Sequence, residues 1–157
     1  MIAYLIVDVD DLLQRLDSRG VTLDIHTVAA ALINSAVLAA GLQAKEDLSA
    51  VAVADWNRYR RPSGSAGVNV QQVFASEGYD LFNVPDRSVV ADALLKHYFS
   101  IETAQIDELI VASTRDDIVS LVPRVDISSR TRVRIWGDEP PADMDGVIFQ
   151  PLEAILG

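Results

Sequence analysis

The sequence predicts an α/β fold, a three-layer sandwich in which helices cover both faces of a mostly parallel central sheet. Apolar runs of strand length alternate with longer helix-patterned stretches, as repeated βα units require. The first run, Ala3–Val7, is apolar almost without a break, as expected of a strand buried on both faces. Acidic residues follow several of the runs, where strand-to-helix turns fall.

After Ala3–Val7, Asp11–Leu16 starts a short helix. Asp24 caps the next one, whose apolar stripe is Val28, Ala31, Leu32, Ser35 and Leu38, and Gly41 ends it. Leu48–Ala54 is the second strand, and Arg58–Gly67 has the Pro, Ser and Gly of a loop. Asn69 caps a helix running to Glu77, with Gly78 at its end. Tyr79–Val84 is the third strand, and Asp86 caps a helix through Tyr98. Leu109–Ser113 is the fourth strand, followed by a helix over Asp116–Val125 that carries Pro123 near its end. Arg132–Trp136 is the fifth strand and Asp138–Gly146 a loop. Val147–Phe149 is a last short strand before a closing helical turn. No repeat, linker or low-complexity segment interrupts this pattern, so residues 1–157 read as a single domain.

Half of the 157 residues are hydrophobic and 23% are charged, a balance that builds a core. The absence of cysteine removes disulfides, thiol catalysis and cysteine-bound zinc, and two histidines are too few for an imidazole metal cluster. The opening residues lack a basic region, and Asp8 cuts their apolar run, so they read as a strand rather than a signal peptide. No apolar stretch reaches the roughly 18 residues of a membrane span. The expectation is a cytoplasmic protein without a membrane partner. A net charge of −10 argues against a wide basic face for nucleic acid, though not against a compact site where a cation offsets local acids.

The acids are the strongest functional signal. Asp8, Asp10 and Asp11 follow the first strand, Asp55 ends the second, and Asp116 and Asp117 follow the fourth. In an open α/β sheet, ligands bind beyond the carboxyl ends of the strands, and right-handed connections bring those ends to one edge. Carboxylates gathered there repel one another unless a cation joins them. Oxygen-only ligands suit Mg²⁺ or Mn²⁺, which activate water and neutralise a phosphoryl transition state. Any one of these acids also makes sense as a helix cap, Asp11 above all, so the set weighs more than its members. Asp92 lies within a helix at the border of its apolar face. There it either forms an i,i+4 pair with Lys96 or serves as a ligand. Arg58, Arg60 and Arg61 form the densest basic cluster, placed to hold phosphates or simply to solvate a loop.

These residues together resemble the NYN family, a branch of the PIN-like nucleases. IVDVDDLL is similar to the family's Asp-x-x-Asn-Leu start, with Asp8 as the catalytic acid and Asp11 where the family has Asn. VAVADWNRY resembles its second strand, with the pair Asp55-Trp56. VVADALL resembles its Ala-Ala-Asp-x-x-Leu helix, carrying Asp92. LIVASTRDDIVSLV resembles the strand ending in Ser-Gly-Asp-Ser-Asp-Phe. Aligned through Thr114 the motif acid is Asp116; aligned through Ser113 it is Asp117, and Thr-x-Asp usage in PIN-like domains favours Asp116. The resemblance covers nearly the whole chain. It implies a PIN/NYN-like fold and a Mg²⁺- or Mn²⁺-dependent ribonuclease cleaving single-stranded RNA. Asp8, Asp92 and Asp116 would be catalytic, Asp11 and Asp117 further metal ligands, and Arg58, Arg60 and Arg61 the substrate grip.

The alternative is a catalytically degenerate NYN-like module that binds RNA, a protein partner or a second copy of itself. Asp11 in place of Asn and the irregular Thr114–Ile118 segment favour it. A receiver domain would need a strand between Leu16 and Leu48 and a Lys after Lys96, and neither is evident. A dinucleotide fold would need a G-x-G-x-x-G turn, which Gly64 and Gly67 do not form. Trp56 and Trp136 read as core and His97 as a helix-face residue. Alternation of Arg130, Arg132 and Arg134 reads as an exposed sheet edge.

Overall fold

The computed structural model describes residues 2–18, 24–59, 69–99, 106–113, 115–124, 131–140 and 146–156. Its strands are β1 (Ala3–Asp8), β2 (Leu48–Ala54), β3 (Asp80–Asn83), β4 (Glu108–Ala112), β5 (Arg132–Gly137) and β6 (Val147–Pro151). The helices are α1 (Val9–Ser18), α2 (Ile25–Ala40), α3 (Val70–Ser76), α4 (Val90–Tyr98), α5 (Asp116–Val119) and α6 (Leu152–Leu156). The six strands form one sheet in the order β3-β2-β1-β4-β5-β6, and every pairing is parallel. The expected three-layer α/β sandwich is present, with a sheet that is wholly rather than mostly parallel.

Strand alternation sorts the core into two layers. Leu5, Val7, Ala50, Ala52, Ala54, Ile110 and Ala112 pack on one face with Leu12 of α1, Leu32 of α2 and Phe74 of α3. Ile6, Val51, Val53, Leu109 and Val111 pack on the other with Leu94 of α4 and Ile118 of α5. Successive side chains of a strand point to opposite faces, so continuous apolar strands are what two covered faces demand.

Several expectations shift. In α2 the buried face is Ile25, Val28, Ala29, Leu32, Ile33, Ala36 and Ala40, whereas Leu38 is 82% exposed. That helix is apolar nearly all round, so its periodicity did not set the phase. β3 is shorter than Tyr79–Val84, and the Tyr79 hydroxyl leaves the sheet to donate to the Ala29 carbonyl at 2.8 Å. Asp86 caps a 3₁₀ turn, Arg87–Val89, and only then does α4 begin.

The helix expected over Asp116–Val125 ends at Val119 and gives way to a 3₁₀ turn, Val122–Arg124. Pro123 lacks the N–H a continued helix needs, and its ring crowds the carbonyl four residues back. Val125 lies outside the described residues. The exposed edge expected from alternating arginines is also corrected. β5 is flanked by β4 and β6, and Arg132 and Arg134 turn to the buried Glu108 at 2.6 and 3.7 Å. Arg130 lies outside the described residues. Among the described residues, no helix is long and apolar enough to cross a membrane.

Candidate functional site

The strand order reverses between β1 and β4, because the chain steps outward from β1 to β3 and then returns to the other side of β1. A crevice opens beyond the carboxyl ends of two strands whose connections leave in opposite directions. Asp8 ends β1 there, with no part of it exposed. α1 begins at the next residue, which sets Asp10 and Asp11 in its first turn. Ser113 follows β4 and donates from Oγ to Asp8 Oδ2 at 3.0 Å. The Asp11 N–H reaches Asp8 Oδ1 at 3.4 Å.

The cation of the site comes from beyond β3. Arg87 sits in the turn that precedes α4, and its guanidinium spans the crevice. Nη1 and Nη2 donate to Asp8 Oδ1 and Oδ2 at 3.1 and 2.8 Å. Nε and Nη2 donate to Asp117 Oδ2 and Oδ1 at 2.6 and 3.0 Å. Nη1 also stands 3.5 Å from Asp10 Oδ2. Burial works against the guanidinium's charge. The hydrogen bonds and attraction of Asp117 and Asp8 outweigh it, so Arg87 is held above its ordinary pKa.

Asp10 is fixed from the other side. The Tyr59 hydroxyl donates to its Oδ1, and the Asp55 N–H lies 3.3 Å from its Oδ2. Burial, reinforced by the bond to Asp10, pushes the Tyr59 hydroxyl well above the ordinary phenol range, so it stays a donor. Asp11 turns away to Arg15 Nε at 2.9 Å, and Arg15 also holds Asp138 at 2.7 Å. Burial raises the Asp11 pKa; Arg15 pulls it down and Asp8 pushes it up, with a net rise.

The structure thus gathers Asp8, Asp10 and Asp117 on one guanidinium, with Asp11 beside them. It does not bring Asp92 or Asp116 there. Asp92 is 61% exposed at its side chain and pairs with Arg124 at 2.5 Å. Asp116 is exposed at the start of α5. Asp55 caps the turn after β2, accepting from the Asn57 N–H at 3.3 Å and lying 3.7 Å from Arg58 Nε. Arg58 itself is largely exposed beside the crevice's edge, while Arg60 and Arg61 lie outside the described residues.

Trp56 and Trp136 are core residues, their indole N–H groups satisfied by Phe82 O and Gln150 Oε1. His97 is exposed and lies against Phe82, with ring centroids 5.0 Å apart. Sequence reasoning missed Arg87, Tyr59 and the anchoring role of Ser113. The one available signal for Arg87 was its place, just after the third strand and so on the acids' edge of the sheet.

Around Arg87 the acceptors are the carboxylate oxygens of Asp8, Asp10 and Asp117, an oxygen donor set that suits a hard divalent ion rather than zinc. Among the described residues, no three acidic or imidazole groups converge closely enough to hold a metal as they stand, and the Arg87 guanidinium bridges Asp8 and Asp117. The donors therefore fit such an ion in kind, and Arg87 must withdraw for them to close on it. Compared with known proteins, the chain matches no family model and no curated protein sequence.

Proposed function

We propose that this chain is a divalent-metal-dependent ribonuclease that hydrolyses RNA phosphodiester bonds at the β1–β4 crevice. One observation carries the reading: a wholly buried carboxylate, Asp8, meets Asp10 and Asp117 around the Arg87 guanidinium at the topological switch point, with Arg115 a further 3.9 Å partner of Asp117. A buried acid is costly unless a cation compensates it, and such clusters concentrate at sites of chemistry. The resemblance to the NYN family, with Asp8 at its catalytic position, points the same way.

Mg²⁺ or Mn²⁺, when bound, supplies Lewis acidity at the phosphate and a more acidic water. The chain's own residues do the rest. Asp8 is the principal ligand, its carboxylate oriented by Ser113 Oγ. Asp10 and Asp117 complete the ligand set, and Tyr59 locks Asp10 in place. Arg58, with Arg60 and Arg61 on the same stretch of chain, holds substrate phosphates on an otherwise acidic protein.

A second reading has its own support. Arg87 neutralises the acids from within, which suits a degenerate module that binds RNA or a protein partner without cleaving. Pure protein incubated with end-labelled single-stranded RNA in Mn²⁺, beside Asp8→Asn, separates the two. Cleavage by the parent alone is expected. Intact RNA with both preparations favours the module.

A further inference from the structure

Resting on that metal reading, we propose that Arg87 is an exchangeable internal counter-ion. It and the divalent ion exclude one another, so the metal-free protein is held in a closed, ion-refusing state. The hydrogen-bond inventory carries this. A guanidinium has five N–H donors, and Arg87 directs all five at three carboxylates: two at Asp8, two at Asp117 and one, at 3.5 Å, at Asp10. A carboxylate has about four lone-pair positions, and those of Asp8 are all taken. Oδ1 receives Arg87 Nη1 and the Asp11 N–H; Oδ2 receives Arg87 Nη2 and Ser113 Oγ. An ion therefore reaches Asp8 only by displacing a donor, and Arg87, which holds two of the four positions, is the one whose charge it would replace.

The mounting of Arg87 allows that displacement. It belongs to a single 3₁₀ turn in which Ser88 and Val89 are exposed, preceded by exposed Pro85 and Asp86. Its side chain is 21% exposed, so its outer side already meets solvent. Once out, its charge stands at the mouth of the crevice, where an incoming phosphate needs a partner.

Two measurements test the exclusion. Calorimetric titration of Mn²⁺ should show Arg87→Gln binding about tenfold more tightly than the parent or better, the equivalent of one competing charge-assisted hydrogen bond removed. Arg87→Lys, which keeps a charge but not the fork, should fall between them. In the parent, the Arg87 Nε–H signal should be protected from exchange in chelator and lose that protection on adding Mg²⁺. Mn²⁺ binding by Arg87→Gln at equal or lower affinity, or Mg²⁺ binding to the parent with the Nε–H signal unmoved, overturns the proposal. If Arg87→Gln does not fold, the Nε–H measurement decides alone. If neither parent nor variant binds metal, the ribonuclease reading falls as well, which tells the two failures apart.

Discussion

The Arg87 guanidinium lies edge-on to the Asp8 carboxylate with two hydrogen bonds of 3.1 and 2.8 Å, and Asp8 is wholly buried. Repulsion among neighbouring acids would by itself make Asp8→Asn stabilising; this pairing reverses the sign. In chelator, Asp8→Asn and Arg87→Gln should each lower unfolding free energy by about 3–5 kcal/mol, the cost of orphaning one partner of a buried pair. The double variant should cost less than the sum, with a coupling of about 1 kcal/mol or more in urea titrations. Additive losses would show that the two residues do not act as a unit.

Asp11 sets a pH dependence. Its carboxyl is raised above 3.8 chiefly by burial, with Arg15 opposing and Asp8 adding. The folded state therefore binds this proton more readily than the unfolded one. The stability it contributes is complete below pH 3.8 and is lost as pH rises through the folded value. Asp11→Asn has no charge to bury and should melt higher than the parent at pH 7 in chelator. The gap should narrow as pH falls toward 3.8. A variant that melts lower at pH 7 would mean the bond to Arg15 outweighs the burial.

Within the α5 turn, two adjacent acids should separate cleanly. Asp117→Asn should cut metal-dependent RNA cleavage by about a hundredfold or more, as loss of a ligand to the activating ion implies. Asp116→Asn and Asp92→Asn, whose carboxylates lie outside the Arg87 cluster, should stay within about threefold of the parent, since each tenfold loss needs a lost transition-state interaction. The opposite ranking would place the ligand set elsewhere.

Replacing Arg58, Arg60 and Arg61 together with Ala should weaken RNA binding and flatten its dependence on salt by up to about three phosphate contacts. Mn²⁺ affinity should be unchanged. An unaltered salt slope would show that these residues are merely solvated.

Much of the fold was legible because strand burial leaves a plain record. Ala3–Val7 and Leu48–Ala54 are apolar on both faces, and Asp24, Asn69 and Asp86 each accept the backbone N–H expected of a cap. Asp8 was legible for the same reason, as the acid that stops a buried strand. Arg87 was not, since it lies 79 residues from Asp8 and only the three-dimensional turn of the chain unites them. The choice between Asp116 and Asp117 is a matter of helix phase. One residue rotates the side chain by about 100°, and no residue pattern near Arg115 fixes where that rotation starts. Asp10 gained its place from Tyr59 and Asp55, both contributed by the chain after β2.

β1 lies at the centre of the sheet although it is made before any other strand; it pairs with β2 from Leu48 and with β4 from Glu108. A ribosome releasing this chain therefore presents the middle of this sheet before the strands that flank it. Until Glu108–Ala112 has emerged, one flank of Ala3–Asp8 is an open parallel edge, apolar above and below. Nascent chains halted between β2 and β4 would carry an unfinished edge of the kind that other strands add to and that chaperones cover. The same geometry delays the crevice. Asp8 waits for Ser113 and, across Arg87, for Asp117, so the acidic cluster is not assembled until most of the sheet has been translated.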